Sequence, residues 1–333
     1  MLRNKTLYLV IVCSLLLFFS LRGCALRESR APVKEPAGTE VQVVTTIFPW
    51  ATILQNLGGE LVQVTVLLPA GASPHTYEPT VEQARAISRA DLLVYTGGGL
   101  DDWIFKMAAA AEGEGTVVEV LDFLEGSLLP FNAEGAGEGT GMEGPAAERS
   151  GETHPHSSHA HSYYDPHVWT DPLLVQEKIA PALAEILAAI KPESERQFQQ
   201  NLKTFQEELQ VLHEDLAAAM RGFAGKRFIC YHSSWNYFAS RYGLGRPVHI
   251  EEFPGQEPAA KWLTELVELA RELEVKVVFA EPQLSSKTAE VIAAELGGRV
   301  LILDPLGGEG LPGRDSYSGL MRYNLKVFQE GLQ

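Results

Sequence analysis

The chain has 333 residues, 45% of them hydrophobic, and a formal net charge of −16. That is enough apolar material for one large or two medium cores. The excess of acid argues against nucleic acid as a partner, because phosphate backbones are bound by clustered cations. It favours an elevated local concentration of cations at the surface.

The first residues stand apart from the rest. Arg3 and Lys5 precede an apolar run over residues 7–21, which is followed by Arg22-Gly23-Cys24. A short basic region and an apolar stretch of this length read as a signal peptide over residues 1–24. The run is shorter than the ~20 residues a spanning helix prefers. Leu21-Arg22-Gly23-Cys24 resembles a bacterial lipobox, with Cys24 as the lipidated first residue of the mature chain, although Arg22 stands where a small residue is usual. Residues 25–40 are polar and carry Pro32, Pro36 and Gly38, so they read as a flexible tether. The leader holds three cations and no acid, so a chain without it carries −19. Beyond the leader only Cys230 remains, which excludes an internal disulfide. Its setting, Phe228-Ile229-Cys230-Tyr231, suggests a buried strand thiol.

The elements that follow fall into two α/β halves. The first half, residues 41–192, reads as strands over 41–46, 61–67, 91–95 and 116–120. Helices occupy the stretch up to Leu57, the stretch from Thr80, and residues 101–111. Thr80-Val81-Glu82-Gln83 has capping-box spacing, and Gly97-Gly98-Gly99 ends the third strand. Residues 132–162 are low in complexity and rich in Gly and Glu, with too little apolar surface to order themselves. They end in His154-Pro155-His156-Ser157-Ser158-His159-Ala160-His161. Asp171-Pro172 supplies an N-cap and a first-turn proline for a helix through Ile190, which Pro192 breaks. A connecting helix over 193–221 carries Phe198, Leu202, Phe205, Leu209, Leu212 and Leu216 at helical spacing. At ~1.5 Å per residue it is about 40 Å long, a stiff connector. The second half, residues 222–333, repeats the plan, with strands over 226–231, 247–251, 276–280 and 299–303. Its helices cover 235–242, 258–273 and 285–296, with Pro258 suited to a first turn. The predicted fold is α/β, with two lobes, each a mostly parallel four-stranded sheet flanked by helices, joined by a long rigid backbone helix.

In open α/β sheets ligands bind beyond the carboxyl ends of the strands. Four polar residues stand at such positions. His75 follows the second strand, His167 lies between Pro166 and Pro172, His232 follows Tyr231, and Asp304 follows the last strand. Converging on one cleft, they would form an N3O site, which fits four-coordinate zinc. The absence of thiolate and thioether donors disfavours copper(I), and a single carboxylate is few for manganese. Spacing alone leaves the structural alternatives open. Each histidine also reads as an exposed or core residue, and Asp304 as a turn cap.

Several segments together resemble the zinc/manganese ABC-transporter solute-binding family, over residues 41–329. They are Thr45-Thr46-Ile47-Phe48-Pro49, Ser73-Pro74-His75-Thr76-Tyr77-Glu78-Pro79, Asp165-Pro166-His167-Val168-Trp169, Tyr231-His232, Phe279-Ala280-Glu281-Pro282-Gln283 and Leu303-Asp304-Pro305-Leu306. The family's four ligand positions fall on His75, His167, His232 and Asp304. His232, where manganese-type members carry Glu, favours Zn2+, while the Thr76-Tyr77-Glu78-Pro79 tail resembles the manganese type and keeps Mn2+ as the alternative. The resemblance implies an extracytoplasmic, membrane-anchored monomer that captures the ion and delivers it to an ABC permease. It implies an auxiliary metal-gathering loop at His154, His156, His159 and His161. Glu281 is read either as the residue that orients a ligand imidazole or as a helix cap. The rival classes are an adhesin, a binder of a larger chelate and a zinc hydrolase. A hydrolase needs an open position and a general base, and no His-Glu-x-x-His occurs.

Overall fold

The computed structural model describes residues 40–110, 113–131, 164–251 and 255–333. Cys24, residues 25–39 of the tether and the histidine stretch 154–161 lie outside the described residues.

Four strands, β1 (Val41–Thr45), β2 (Val62–Val66), β3 (Leu92–Tyr95) and β4 (Thr116–Glu119), form a parallel sheet in the order β2-β1-β3-β4. Helix α1 (Phe48–Gly58) joins β1 to β2, α2 (Val81–Ile87) precedes β3, and α3 (Trp103–Ala110) precedes β4. The capping box at α2 is formed, with Thr80 and Gln83 each bonding the other's backbone N–H. Later in the chain β5 (Ile229–Cys230), β6 (Val248–His249), β7 (Val277–Ala280) and β8 (Arg299–Ile302) pair in parallel in the order β6-β5-β7-β8. The two sheets therefore share one strand order, and each reverses direction beside its first strand. In both, the loops after the strands open on the same edge, where open α/β sheets bind ligands.

Between the sheets run two helical segments. Asp171 caps the first, accepting from the N–H groups of Leu173 (3.0 Å) and Leu174 (3.4 Å), with Pro172 in the first turn. This run is not uniform. Its first turn, Pro172–Leu174, widens to a π turn over Val175–Ile179 before α4 (Ala180–Ile190). Pro181 has no N–H for the carbonyl of Glu177 and its ring crowds that carbonyl, which accounts for the widened turn. Gln176 in the π turn and Gln206 exchange side-chain-to-carbonyl bonds of 2.9 and 3.0 Å. Gln206 belongs to α5 (Glu195–Met220), 26 residues long and so about 39 Å. Its apolar stripe of Phe198, Leu202, Phe205, Leu209, Leu212, Leu216 and Met220 is buried throughout. That stripe lies in one core cluster with residues of both sheets, from Val43 to Phe279. Smaller clusters cover the outer face of each sheet.

Three features of the second half depart from the predicted pattern. Strands β5 and β6 are two residues each, shorter than the strands predicted over 226–231 and 247–251. Helix α7 (Ala260–Glu272) starts two residues after Pro258, so this proline precedes the helix instead of opening it. A last helix, α9 (Tyr317–Leu332), capped by Ser316, has no counterpart among the predicted elements. Its signal was present: Leu320, Asn324, Phe328 and Leu332 recur at helical spacing and are buried. α6 (Asn236–Arg241) and α8 (Lys287–Glu295) complete the half. Among the described residues no helix is long and apolar enough to cross a membrane.

Phe328 is the hub of the second half. Its ring lies 4.7 Å from Phe238 in a stacked pair, and 5.2–5.4 Å from Trp235, Phe228 and Phe279. Phe328→Ala is expected to lower the unfolding free energy by about 3–5 kcal/mol, the range for an aromatic removed from a packed core. Urea unfolding of wild type and variant measures it.

Candidate metal site

Three side chains separated in sequence meet between the two sheets. His75 lies in the loop after β2, where Trp103 on α3 donates to the carbonyl of Pro74 (2.9 Å) and stacks edgewise on Tyr77. This anchors the loop on both sides of the histidine. His167 opens a 3-10 turn, Val168–Thr170, ahead of the Asp171 cap. His232 lies two residues beyond the end of β5, and its carbonyl accepts from the buried Cys230 thiol. The Nε2 atoms of His75 and His167 are 3.4 Å apart, and those of His167 and His232 are 3.2 Å apart. All three ligand atoms lie within 4.8 Å of one another. Two nitrogens held ~2.0–2.1 Å from one tetrahedral ion are about 3.3–3.4 Å apart, so two of the three edges already have the length a zinc ion requires.

The outward nitrogens are fixed by carboxylates. Asp165 Oδ1 sits 2.7 Å from His167 Nδ1, and Glu281 Oε1 sits 3.0 Å from His232 Nδ1. With Nδ1–H donated to a carboxylate, Nε2 is left to point inward as an acceptor, the arrangement that orients histidines on metals. Both carboxylates are themselves held. Asn236 donates to Asp165 Oδ2 (2.9 Å) and Ser234 to Glu281 (2.8 Å). Asn236 in turn contacts His249 (3.2 Å), which burial keeps neutral with a pKa of about 4. Asp165 and Glu281 are both buried. Glu281 follows β7, so its place beside His232 comes from the sheet.

The imidazoles differ in proton affinity. Burial lowers His75 well below the usual histidine value, helped by the neighbouring rings of His232 and His167. Burial also acts to lower His232, but the Glu281 carboxylate, with Glu251 and Asp165 behind it, outweighs that and raises it. Asp165 is pushed up by burial and pulled down further by His167, so it remains a carboxylate. His232 Nε2 and His167 Nε2 stand 3.2 Å apart, within hydrogen-bond distance.

The cavity bounded by these rings, Glu281, Gln283 and Leu306 has a volume of about 10 Å³, room for one ion or one water. Asp304 is not among the three converging donors. It is 1% exposed and its carboxylate is engaged elsewhere. Oδ1 accepts from Gln283 Nε2 (2.9 Å) and from the N–H groups of Leu306 (3.1 Å) and Gly307 (3.0 Å). Oδ2 pairs with Arg314 (2.9 Å). Its backbone is fixed by Asn324 of α9, which bonds both Asp304 N and O. Sequence reading singled out His75, His167, His232, Glu281 and Asp304, but not Asn236, Ser234 or Arg314. Asp165, two residues ahead of His167, carried the one local signal. His154, His156, His159 and His161 lie outside the described residues.

A family model described as ZnuA, zinc-uptake complex component A, periplasmic, matches residues 43–331. The zinc-binding protein AdcA of Streptococcus pyogenes serotype M3 (strain ATCC BAA-595 / MGAS315) is 30% identical over 299 residues, covering 87% of this chain and 56% of AdcA. The present chain thus spans little more than half the length of that relative. The high-affinity zinc uptake system protein ZnuA of Bacillus subtilis (strain 168) is 29% identical over 303 residues, covering 89% of this chain and 88% of the relative. A crystal structure of ZnuA superposes with a TM-score of 0.72 at 29% identity, over 88% of this chain and all of the other.

Glu281→Gln separates the two duties of this carboxylate. Loss of the oriented, charge-paired His232 is expected to weaken zinc binding about 10–100-fold at neutral pH. Because Glu281 raises His232, its removal lowers that pKa, so the fall in affinity on acidification should begin at a lower pH than in wild type. Competitive zinc titrations from pH 5 to 8 measure both. An unchanged midpoint would show that Glu281 does not control the proton on His232.

Proposed function

Because the chain belongs to the family of periplasmic zinc-uptake complex component A proteins, we propose that it captures a bare zinc ion outside the cytoplasm and hands it to an ABC importer. The observation that carries this reading is the triad of Nε2 atoms, two of its edges at 3.2 and 3.4 Å, with a buried carboxylate behind two of the three rings. Three imidazoles suit zinc better than manganese, which prefers carboxylate and water oxygen. A cavity of about 10 Å³ excludes a larger chelate. In this reading the site holds and releases, and Asp304 completes the shell where a hydrolase would keep a water. Cys24 is the lipid anchor, and the chain acts as a monomer beside the permease. The histidines at 154–161 gather the ion weakly before it enters the cleft.

Binding is coupled to protons, since a protonated imidazole cannot ligate. Glu281 raises the proton affinity of His232, so this ring competes with the ion for a proton more than the others do. His75, already neutral, gives up little.

Metal analysis of the mature domain should find one tightly held zinc per chain. His232→Ala should lose or greatly weaken it, and manganese should displace it poorly in the wild type. Comparable manganese affinity would make this a dual or manganese carrier, and no tight metal would overturn the reading. Removing residues 134–162 should leave the tight site intact and lower uptake only at limiting zinc. Uptake assays over a zinc series, with the cleft titrated in parallel, test this.

A further inference from the structure

A buried carboxylate needs a counter-charge, and Asp304 has one that is not a metal. Its Oδ2 is paired with Arg314 Nη1 at 2.9 Å, and the side chain of Arg314 is 21% exposed. The guanidinium also lies over the Tyr323 ring, 4.8 Å from its centroid. Its Nε is buried with no hydrogen-bond partner, so the pair is made through one arm of the fork and lacks the second bond of a bidentate contact. Arg314 closes a short loop, with Gly308 N donating to its carbonyl at 3.1 Å. This loop begins at Pro305 and Leu306, which line the histidine cavity together with Gln283. Gln283 is the direct link. Its Nε2 bonds Asp304 Oδ1, while its Oε1 is buried without a partner.

We propose that Arg314 is a built-in competitor for the captured ion, holding Asp304 back from the three imidazoles until the metal takes its place. This rests on the zinc-capture reading above and adds the residue that sets affinity and release. The physical reason is charge conservation. Asp304 is compensated in both states, by the guanidinium when the site is empty and by the dication when it is full. Neither state leaves an uncompensated buried charge, which would be strongly destabilising. The displaced guanidinium is already partly exposed over Tyr323 and can turn to water. When the ion leaves, the pair re-forms, so Arg314 weakens binding and speeds release.

The test compares wild type, Arg314→Met, Asp304→Asn and the double variant by competitive zinc titration and stopped-flow removal of zinc with a chelator, at pH 7.5. Arg314→Met keeps the length of the side chain and removes the competing cation. It should bind zinc about tenfold more tightly and release it correspondingly more slowly, the scale of one charge-assisted hydrogen bond lost from the empty state. Asp304→Asn should bind more weakly, and in that background Arg314→Met should have no further effect. Unchanged or weaker binding by a folded Arg314→Met, or a gain that persists in the double variant, would overturn the proposal. Should Arg314→Met fail to fold by circular dichroism, a crystal structure of the zinc-loaded wild type decides. Asp304 on the metal with Arg314 turned away supports the exchange, and an intact Asp304–Arg314 pair refutes it. One tight zinc in wild type upholds the capture reading whichever way Arg314 behaves, whereas a wild type without zinc removes both.

Discussion

Three imidazole nitrogens with their lone pairs turned toward one point do not assemble on their own. Each would be better solvated apart, and at 3.2–3.4 Å they can share a proton but cannot all be satisfied by one another. The fold has to impose this arrangement, and for His167 and His232 it does so through the far side of the ring. Asp165 and Glu281 take the Nδ1 protons and so dictate which nitrogen faces inward. Asn236 and Ser234 then hold the carboxylates. Burial makes the same contacts stronger and makes an unpaired member more costly, so the network stands or falls as a unit. What remains unsatisfied is the centre of the triad, which is where a cation belongs.

The repeated sheet order explains how the donors reach that centre. Both sheets run in the order second, first, third, fourth, so both gather their post-strand loops at one edge. The first sheet contributes His75 after β2. The second contributes His232 after β5, Glu251 after β6, Glu281 after β7 and Asp304 after β8. This leaves the second sheet with the negative charge and the segment between the sheets with His167 and its own Asp165. Burial lowers both rings; for His232 the carboxylates it faces outweigh that and raise it, whereas His75 faces only the other two rings, which lower it further.

Much of this was legible in the sequence, for reasons that can be given residue by residue. The Thr80 capping box, the Asp171-Pro172 start and the apolar stripe of α5 are local signals, in which the residues that cause the structure are neighbours in the chain. The three histidines were found because each follows a strand end or lies between prolines that fix its loop. Where the sequence misled, the cause was tertiary. The strands predicted over 226–231 and 247–251 yield only two paired residues each, because buried residues beside a strand are drawn in by the core whether or not they join a ladder. The widened turn before α4 depends on Pro181, a single residue that the strong helical pattern around it masks. Helix α9 was passed over although its stripe is clear, and with it the Asn324 contacts that place Asp304. The engagement of Asp304 with Arg314, ten residues away around a glycine-rich loop, has no pattern at all in the sequence.

The contacts across the middle of the molecule limit how the ion can enter and leave. Asp171 caps the first inter-sheet helix and also pairs with Arg241 on α6, at 2.8 Å. Tyr237 bonds the carbonyl of Asp165 and receives Leu129 N. Trp169 donates to the carbonyl of Pro305 at 2.7 Å, and Tyr317 donates to the carbonyl of Trp169 at 2.7 Å. A wide opening of one sheet from the other would break all of these together and strip α5 from a core it shares with both. At about 0.5–1.5 kcal/mol for each net hydrogen bond, before any apolar surface is exposed, that motion is far costlier than a change confined to loops. The segments free of these ties are the loop carrying His75, which is half-buried, and the glycine-rich loop from Leu306 to Arg314. They flank the cavity from opposite sheets. In the proposed capture role, exchange of the ion would fall to these two loops, with His167 and its carboxylate held by the frame.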